Sequence, residues 1–183
     1  MKLSDNAKVA WLVVLVSVMV AFVFVVYLLP RDVFDKSKIY TETQGNFTFV
    51  VPESFGLQRE QITENEVYIK VVAPNDTALA NPGLANVIVY KKGFDGALDE
   101  QAEAFLGINK NQLFKFNSGE NGYSYLLQSG QESSLYYFFD RDDSVVVFKY
   151  NKSYFDKSNP MMLIDNSLYA NTFLRTLNTL KFN

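Results

Sequence analysis

The hydrophobic and polar positions divide the chain into an apolar N-terminal segment and a longer part of mixed pattern. Residues 9–29 form 21 consecutive positions without a charge, and nine of them are valine. As a helix at about 1.5 Å per residue, this run spans about 31 Å, the thickness of a bilayer's hydrocarbon core. Trp11 and Tyr27 lie near its two ends, where amphipathic rings favour the headgroup boundary. The pattern predicts a transmembrane helix over residues 9–29, preceded by a short tail of residues 1–8.

We interpret the apolar segment as a retained anchor rather than as a cleaved signal peptide. A signal peptide has a shorter apolar core and a small-residue cleavage site, whereas this run ends at Pro30 and Arg31 without one. A type IV pilin helix is an alternative, but that family carries a glutamate just inside the helix and this chain has none there. The short tail favours a signal-anchor with a cytoplasmic N-terminus and an extracytoplasmic domain, although basic residues flank both sides almost evenly.

The rest of the chain has the pattern of a β-rich domain. Residues 30–45 are polar with mixed charge and are predicted to be a linker, and residues 46–183 are predicted to be one globular α+β domain. The predicted strands are residues 47–51, 66–72, 86–91, 113–116, 123–128, 135–140 and 144–150. Short breaks rich in Gly, Asn, Asp and Ser separate the last four strands, which is typical of hairpins. We therefore expect an antiparallel meander.

The predicted sheet is apolar on both faces. In residues 135–139 and 145–148 neighbouring positions are all large and apolar, whereas a one-sided sheet alternates apolar with polar residues. Two helices are predicted to cover the faces, one over residues 97–106 and one from about Met161 to Leu177. The second has an apolar stripe of helical period, formed by Ala170, Phe173, Leu174 and Leu177. We expect one helix on each face.

Composition removes many enzyme classes, because the 183 residues include no His and no Cys. This excludes a Ser-His-Asp triad, an imidazole base, a thiolate nucleophile, a zinc finger and a disulfide. Hydrolysis by paired carboxylates stays an alternative, since it needs only Asp and Glu. Glu60, Glu64 and Glu66 cluster, but a solvated face is their default interpretation. No catalytic, cofactor-binding or metal-ligating residue is predicted, and no cofactor.

Charge and loop length indicate where a partner would bind. From Arg31 onward the chain has 15 basic and 19 acidic residues, a net charge of −4, and no basic stripe, so nucleic-acid binding is not expected. Residues 73–85 form a long loop without a basic residue, and loops of this length are often functional. The predicted partner-contact residues in it are Asn75, Asp76, Thr77, Asn81, Pro82 and Gly83. The acidic run at residues 140–143 is expected to be a solvated hairpin turn rather than a cation site.

Two sequence runs carry a resemblance to a known family. Residues 45–55, GNFTFVVPESF, resemble the first strand of the Mog1/PsbP-like family, in which an F-x-F/I-x-x-P-x-x-W/F run is common. Residues 171–182, NTFLRTLNTLKF, resemble its closing helix, with an F-x-x-I/L-x-x-T/S-F/L-x-F ending. The central helix and the aromatic meander match in position, while Phe55 stands where many members have Trp. The resemblance covers residues 45–182.

The resemblance implies a fold and a general kind of role. The fold is an α/β/α sandwich around an antiparallel six- to seven-stranded sheet. Members of this family are mostly non-enzymatic, and they bind or stabilise larger assemblies, as an extrinsic photosystem subunit or a small-GTPase-binding protein does. Many bacterial members are membrane-anchored. No catalytic residues are carried over from the family to this chain.

These observations lead to one preferred function and two alternatives. The preferred one is a single-pass, membrane-anchored binding or assembly module, which contacts the membrane through residues 9–29 and a protein partner through its domain. Such a module is expected to expose an apolar patch. The first alternative is a self-associating structural or adhesive surface subunit, a homo-oligomer joined through the small residues Ser17 and Ala21 or through a sheet edge. The second is a carboxylate-based hydrolase.

Overall fold

A computed structural model describes Ser17 and residues 36–74, 76, 81–117 and 121–183. Apart from Ser17, the predicted transmembrane helix over residues 9–29 lies outside the described residues, as do the tail of residues 1–8 and the first part of the predicted linker. No helix within the described ranges has the length and apolar character needed to cross a membrane. The anchor, the signal-anchor orientation and the extracytoplasmic location therefore stay predictions.

The domain contains eleven strands, two α-helices and two short 3₁₀ turns within the described residues. The strands are β1 (Ser37–Glu42), β2 (Phe47–Pro52), β3 (Gly56–Thr63), β4 (Glu66–Val72), β5 (Ala85–Lys91), β6 (Phe114–Asn117), β7 (Asn121–Ser129), β8 (Glu132–Asp140), β9 (Ser144–Phe155), β10 (Leu163–Asp165) and β11 (Lys181–Phe182). The helices are α1 (Leu98–Leu106) and α2 (Ala170–Asn178), and the 3₁₀ turns are Lys110–Gln112 and Ser167–Tyr169.

Two antiparallel sheets organise these strands. The main sheet has the order β3-β4-β5-β9-β8-β7-β6, and β10 pairs with the end of β9. A smaller sheet has the order β1-β2-β11. The predicted antiparallel sheet with two helices is confirmed, but the main sheet has eight strands rather than six to seven, and the three-stranded sheet is an addition that the sequence pattern did not indicate.

The main sheet is apolar on both faces, as predicted. On one face Phe139, Val146 and Phe148 form a core with residues of the small sheet and of α2, such as Phe47 and Phe173. The opposite face carries a second core, in which Ile88, Leu98, Ala102, Phe138, Val145 and Val147 are buried. Phe138 and Phe139 are neighbours in β8, yet they are 0% and 3% exposed on opposite faces. Each face of the main sheet therefore carries one helix, and the small sheet packs on the same face as α2.

Four strands, β1, β3, β10 and β11, are not among those predicted from the sequence, and the two longest of them, β1 and β3, lie at sheet edges. Residues 37–42, inside the segment predicted as a linker over 30–45, form β1 and pair with β2, so the globular domain begins before residue 46. Strand β3 is polar and exposed along most of its length, and only β4 pairs with it. An edge strand has only one hydrogen-bonded neighbour, and a charged or polar edge discourages pairing with other chains. Such strands lack the apolar pattern on which the prediction depended.

The predicted helix from Met161 is wrong in its first half. Met162 lies in a turn, in which its N–H donates to the carbonyl of Asn159 at 2.8 Å, and strand β10 follows instead of a helix. The Asp165 carboxylate accepts the N–H of Ser167 at 2.8 Å and thereby begins a 3₁₀ turn. Only Ala170–Asn178 are α-helical. The side-chain hydrogen bond and strand pairing outweigh the local helical pattern here.

Candidate binding groove

A groove of about 540 Å³ lies on the face of the main sheet that also carries α1. Alternate residues of a strand share a face, so Lys149 points to the same side as Val145 and Val147, which belong to the second core, beneath α1. Helix α1 has nine residues and is therefore about 13.5 Å long. It contacts β7 and β8, and no residue of α1 or α2 lines the groove. The helix is too short to cover the whole face. It leaves open the part formed by β3, β4 and the second half of β9, from Lys149 onward.

The groove is lined mainly by polar side chains from three parts of the sheet. One wall comes from β3 and Tyr68 of β4, another from the β7–β8 hairpin, and the floor from Lys70 of β4 and from β9. Its lining residues are Gln58, Glu60, Tyr68, Lys70, Asn81, Pro82, Leu127, Ser129, Glu132, Ser133, Ser134, Lys149, Asn151, Ser153, Tyr154 and Lys157. The mixture of hydroxyl, amide, ammonium and carboxylate groups is suited to a polar ligand.

Two lysines stand in one row across the floor. The strand register pairs Lys70 with Asn86 and Asn86 with Lys149, so the two lysines flank a buried asparagine. Lys70 is only 7% exposed. Burial holds the pKa of Lys149 below its ordinary value, although the charge of Glu132 opposes this shift. The Lys149 ammonium also lies 5.3 Å from the centre of the Tyr136 ring.

Carboxylates and a third ammonium lie at the exposed rim. Glu60, Glu132 and Lys157 are all exposed. The Glu132 carboxylate accepts the N–H of Phe155 at 3.2 Å. On the wall, burial together with the neighbouring Tyr136 and Glu60 raises the pKa of Tyr68 to about 12, so this hydroxyl stays protonated at neutral pH. Lys70 and Lys149 therefore lie deeper in the groove than the two carboxylates.

A network of asparagines holds the end of the predicted partner-contact loop, at Pro82 and Gly83, against the sheet. The Asn151 side chain donates to the carbonyl of Gly83 at 3.0 Å and to Oδ1 of Asn86 at 2.9 Å. Asn86 in turn donates to the carbonyl of Pro82 at 2.7 Å. The Asn166 side chain donates to the Asn151 carbonyl at 2.8 Å. Buried amides that are satisfied in this way fix the loop end beside the groove.

The six predicted partner-contact residues have different surroundings. Asn75 and Thr77 lie outside the described residues. The Asp76 carboxylate accepts hydrogen bonds from the Tyr154 hydroxyl at 2.7 Å and the Asn81 amide at 3.0 Å. Asn81 is 2% exposed, and it lines the groove together with Pro82. Gly83 is buried. The described end of the loop, at Asn81 and Pro82, borders the groove, and the role of the loop as a partner contact stays a prediction.

Sequence reasoning missed the two floor lysines, although a signal was present. Lys70 interrupts the apolar run of β4, and Lys149 interrupts that of β9. A charged residue within a strand that is otherwise buried usually has a partner or a function. The three glutamates that cluster in the sequence do not share the groove, because Glu60 lines it and Glu64 and Glu66 do not. Among the described residues no group of three or more Asp or Glu side chains is arranged to hold a metal ion.

The described surface also exposes apolar side chains on the segment between β9 and α2. Met161 is 91% exposed and Met162 is 52% exposed, and Leu168 nearby in sequence is 86% exposed. Consecutive exposed apolar residues of this size are a common feature of contact surfaces. We refer to Met161, Met162 and Leu163 as the methionine turn.

Comparisons with known proteins give structural neighbours only. No known family model matches the chain, and no curated protein matches it. A crystal structure from Bacteroides thetaiotaomicron VPI-5482 is similar, with 10% identity and a TM-score of 0.44 over 80% of this chain and 48% of that one. The chain thus spans about half of that protein's length. The solution structure of cyanobacterial PsbP (CyanoP) from Synechocystis sp. PCC 6803 is similar over 80% of this chain and 92% of that one, with 10% identity and a TM-score of 0.45.

A PsbP structure is thus among the structural neighbours of the chain. The layout that the sequence resemblance implied, a mostly antiparallel sheet with two helices, is present in the described residues. Membership of the Mog1/PsbP-like family and any role taken from that family stay predictions.

Proposed function

We propose that this protein is a binding module that takes a polar ligand into the groove beside Lys70 and Lys149. The observation that carries the proposal is the open end of the α1 face, where a groove of about 540 Å³ has a polar floor in place of a helix. Small-ligand sites typically have volumes of about 300–1,000 Å³ and a few convergent polar groups. The asparagine network supports the proposal, because it holds one end of the groove in a defined shape.

We also propose that the module is non-enzymatic. The chain has no His or Cys to act as a base or a thiolate nucleophile. The groove side chains are those that hold and orient a ligand through hydrogen bonds and charge. We further propose that residues 9–29 anchor the module in a membrane with its domain outside the cytoplasm, on the strength of the uncharged 21-residue run and the short tail before it.

A pair of adjacent substitutions tests whether the groove is the binding site. Ser129→Trp places a large ring in the groove, whereas Gln128→Trp places it on the other face of the same strand, because successive residues of β7 point to opposite sides. Full-length wild-type and variant proteins would be screened by saturation-transfer NMR with glucose, glucuronate, glucose 6-phosphate and triglycine. We expect at least one probe to bind the wild type and Gln128→Trp but not Ser129→Trp. Equal binding to both variants, or no binding by any probe, would overturn the proposal.

The methionine turn favours self-association as a second candidate function. Its exposed side chains could pack against the same surface of a second copy. Sedimentation of the full-length protein would compare the wild type with the double substitution Met161→Ser and Met162→Ser. A dimer that dissociates in the double variant supports this function, and a monomer in both removes it.

A further inference from the structure

We propose that the groove recognises an oxyanion, a carboxylate or phosphate group of the ligand, seated between the ammonium groups of Lys70 and Lys149. This inference rests on the proposed function, since it names the chemistry of the ligand that the groove takes. The geometry of the floor, its burial and the placement of charge with depth each support it.

The strand register sets the two lysines at a distance that one small anion can bridge. Lys70 and Lys149 lie on β4 and β9, with Asn86 of β5 between them in the same row. Two strand spacings of about 4.8 Å place their Cα atoms about 9.6 Å apart. Both side chains point to one face and line one groove. Each has a flexible four-carbon stem, so the two ammonium groups can converge on a single oxyanion.

Neither lysine side chain is fully exposed to water, and for Lys149 this favours an anionic ligand. Lys70 is 7% exposed, and its stem passes beside Gly83, where an added Cβ would lie 3.1 Å from Lys70 Cγ. Lys149 is half-buried, with its charged form disfavoured by desolvation. Removing an ammonium group from water is unfavourable, and an opposite charge in the same low-dielectric space offsets that penalty. A neutral ligand offsets less of it, because it supplies hydrogen bonds but no opposite charge.

The remaining groups of the groove are placed to admit an anion and to bind the rest of the ligand. Glu60 and Glu132 are at the exposed rim, and Lys157 is there with them. The hydroxyls of Ser133, Ser134 and the protonated Tyr68 line the walls. These hydroxyls can form hydrogen bonds with neutral parts of the ligand, beside the two lysine ammonium groups. The ligand is therefore expected to combine one oxyanion with hydroxyl or amide groups.

Three probes with one common ring test the inference. Glucose, glucuronate and glucose 6-phosphate differ only in a neutral, carboxylate or phosphate group at the same carbon. Their dissociation constants would be measured by NMR titration of the full-length protein, for the wild type, Lys149→Gln, Lys149→Arg and Lys110→Gln. Lys110 is an exposed lysine that does not line the groove, so Lys110→Gln controls for the loss of one positive charge.

We expect one or both charged probes to bind the wild type at least about tenfold more tightly than glucose, which is the size of effect a charged hydrogen bond produces. Lys149→Gln should lose that advantage, while Lys149→Arg and Lys110→Gln should keep most of it. The stronger of the two charged probes identifies the oxyanion. Circular dichroism of each variant verifies that it is folded.

The outcomes separate this inference from the function on which it depends. Equal binding of glucose and both charged probes, sensitive to Ser129→Trp, would overturn the oxyanion while leaving the groove as a binding site. An undiminished anion preference in Lys149→Gln would overturn it as well. If no probe shows binding that Ser129→Trp abolishes, both the oxyanion inference and the proposed function are overturned.

Discussion

Arg59 and Glu42 join the edges of the two sheets by a bidentate ion pair. Arg59 Nε donates to Glu42 Oε2 at 2.9 Å and Arg59 Nη2 donates to Oε1 at 3.2 Å. Glu42 ends β1 of the small sheet, and Arg59 belongs to β3 of the main sheet. The Glu42 side chain is 2% exposed and that of Arg59 is 41% exposed. The Tyr40 hydroxyl adds a third hydrogen bond to the same carboxylate at 2.8 Å.

Removal of the arginine should weaken the domain. Arg59→Ala leaves the buried Glu42 carboxylate without its charged partner, and we expect the free energy of unfolding to fall by about 1–3 kcal/mol, discounted because Arg59 is partly exposed to solvent. Arg59→Lys should restore only part of this, since lysine lacks the planar fork. Urea unfolding of both variants measures the effect, with Lys110→Ala as the exposed control. A loss in Arg59→Ala no larger than in the control would contradict the role of the pair.

The same carboxylate should make stability depend on acid pH. Burial raises the pKa of Glu42, but hydrogen bonds from Arg59, the Gln44 N–H and Tyr40 outweigh it and hold the pKa below the ordinary value of 4.5. In the unfolded chain the carboxyl has its ordinary pKa, so the unfolded state binds the proton first as pH falls. The stabilisation by Glu42 is therefore complete above pH 4.5 and is lost as pH falls through the folded-state pKa.

Urea unfolding at several pH values between about 5 and 3 measures this dependence. Glu42→Gln cannot ionise at this position, so its stability should fall less steeply with acid than that of the wild type. Glu64→Gln removes a carboxyl from an exposed turn and should follow the wild type. Parallel curves for all three proteins would rule out Glu42 as the source of the acid dependence.

Gly83 should tolerate substitution less well than another glycine of similar backbone conformation. Gly83 has φ +74°, and an added Cβ would lie 2.7 Å from the carbonyl oxygen of Val71, whereas at Gly130, with φ +60°, nothing lies within 4 Å. Gly130→Ala should cost about 1 kcal/mol through its backbone conformation, and Gly83→Ala about 1–3 kcal/mol more, because the clash is with backbone. Thermal unfolding compares the two. Equal losses would show that the loop end shifts freely.

Asn151 should matter more for stability than its exposed counterparts. Its amide donates to the Gly83 carbonyl and to Asn86, so Asn151→Ala leaves buried acceptors unsatisfied and should cost about 2–3 kcal/mol. Asn111→Ala, at an exposed position, should change stability by less than about 0.5 kcal/mol. Chemical denaturation measures both.

Hydrogen exchange locates the effect of Asn151→Ala. The Leu84 N–H donates to the Val71 carbonyl at 2.8 Å, just beyond the loop end that Asn151 holds. We expect this amide to exchange faster in Asn151→Ala than in the wild type, by more than the change in global stability explains. Unchanged protection of Leu84 would show that the loop is held without Asn151.

The sequence predicted the elements whose signal is local. Strands with large apolar residues at consecutive positions, such as β8 and β9, were recognised together with the need to cover both sides of the sheet. Helix α1 was recognised from its pattern, and it ends at Gly107, where φ is +67°. These features depend on the order of side chains within about ten residues, and burial on two faces leaves a direct trace in that order.

Tertiary structure decided the edge strands, the second sheet and the groove. Strands β1 and β3 exist because a neighbouring strand pairs with them, and their own residues show no matching apolar run. Lys70 and Lys149 share a row only because β5 separates β4 from β9, a neighbour relationship that crosses much of the chain. A sequence shows which face of a strand a residue occupies, because side chains alternate with period two. Which strands become neighbours depends on the long-range packing of the whole sheet, and the groove is a consequence of that packing.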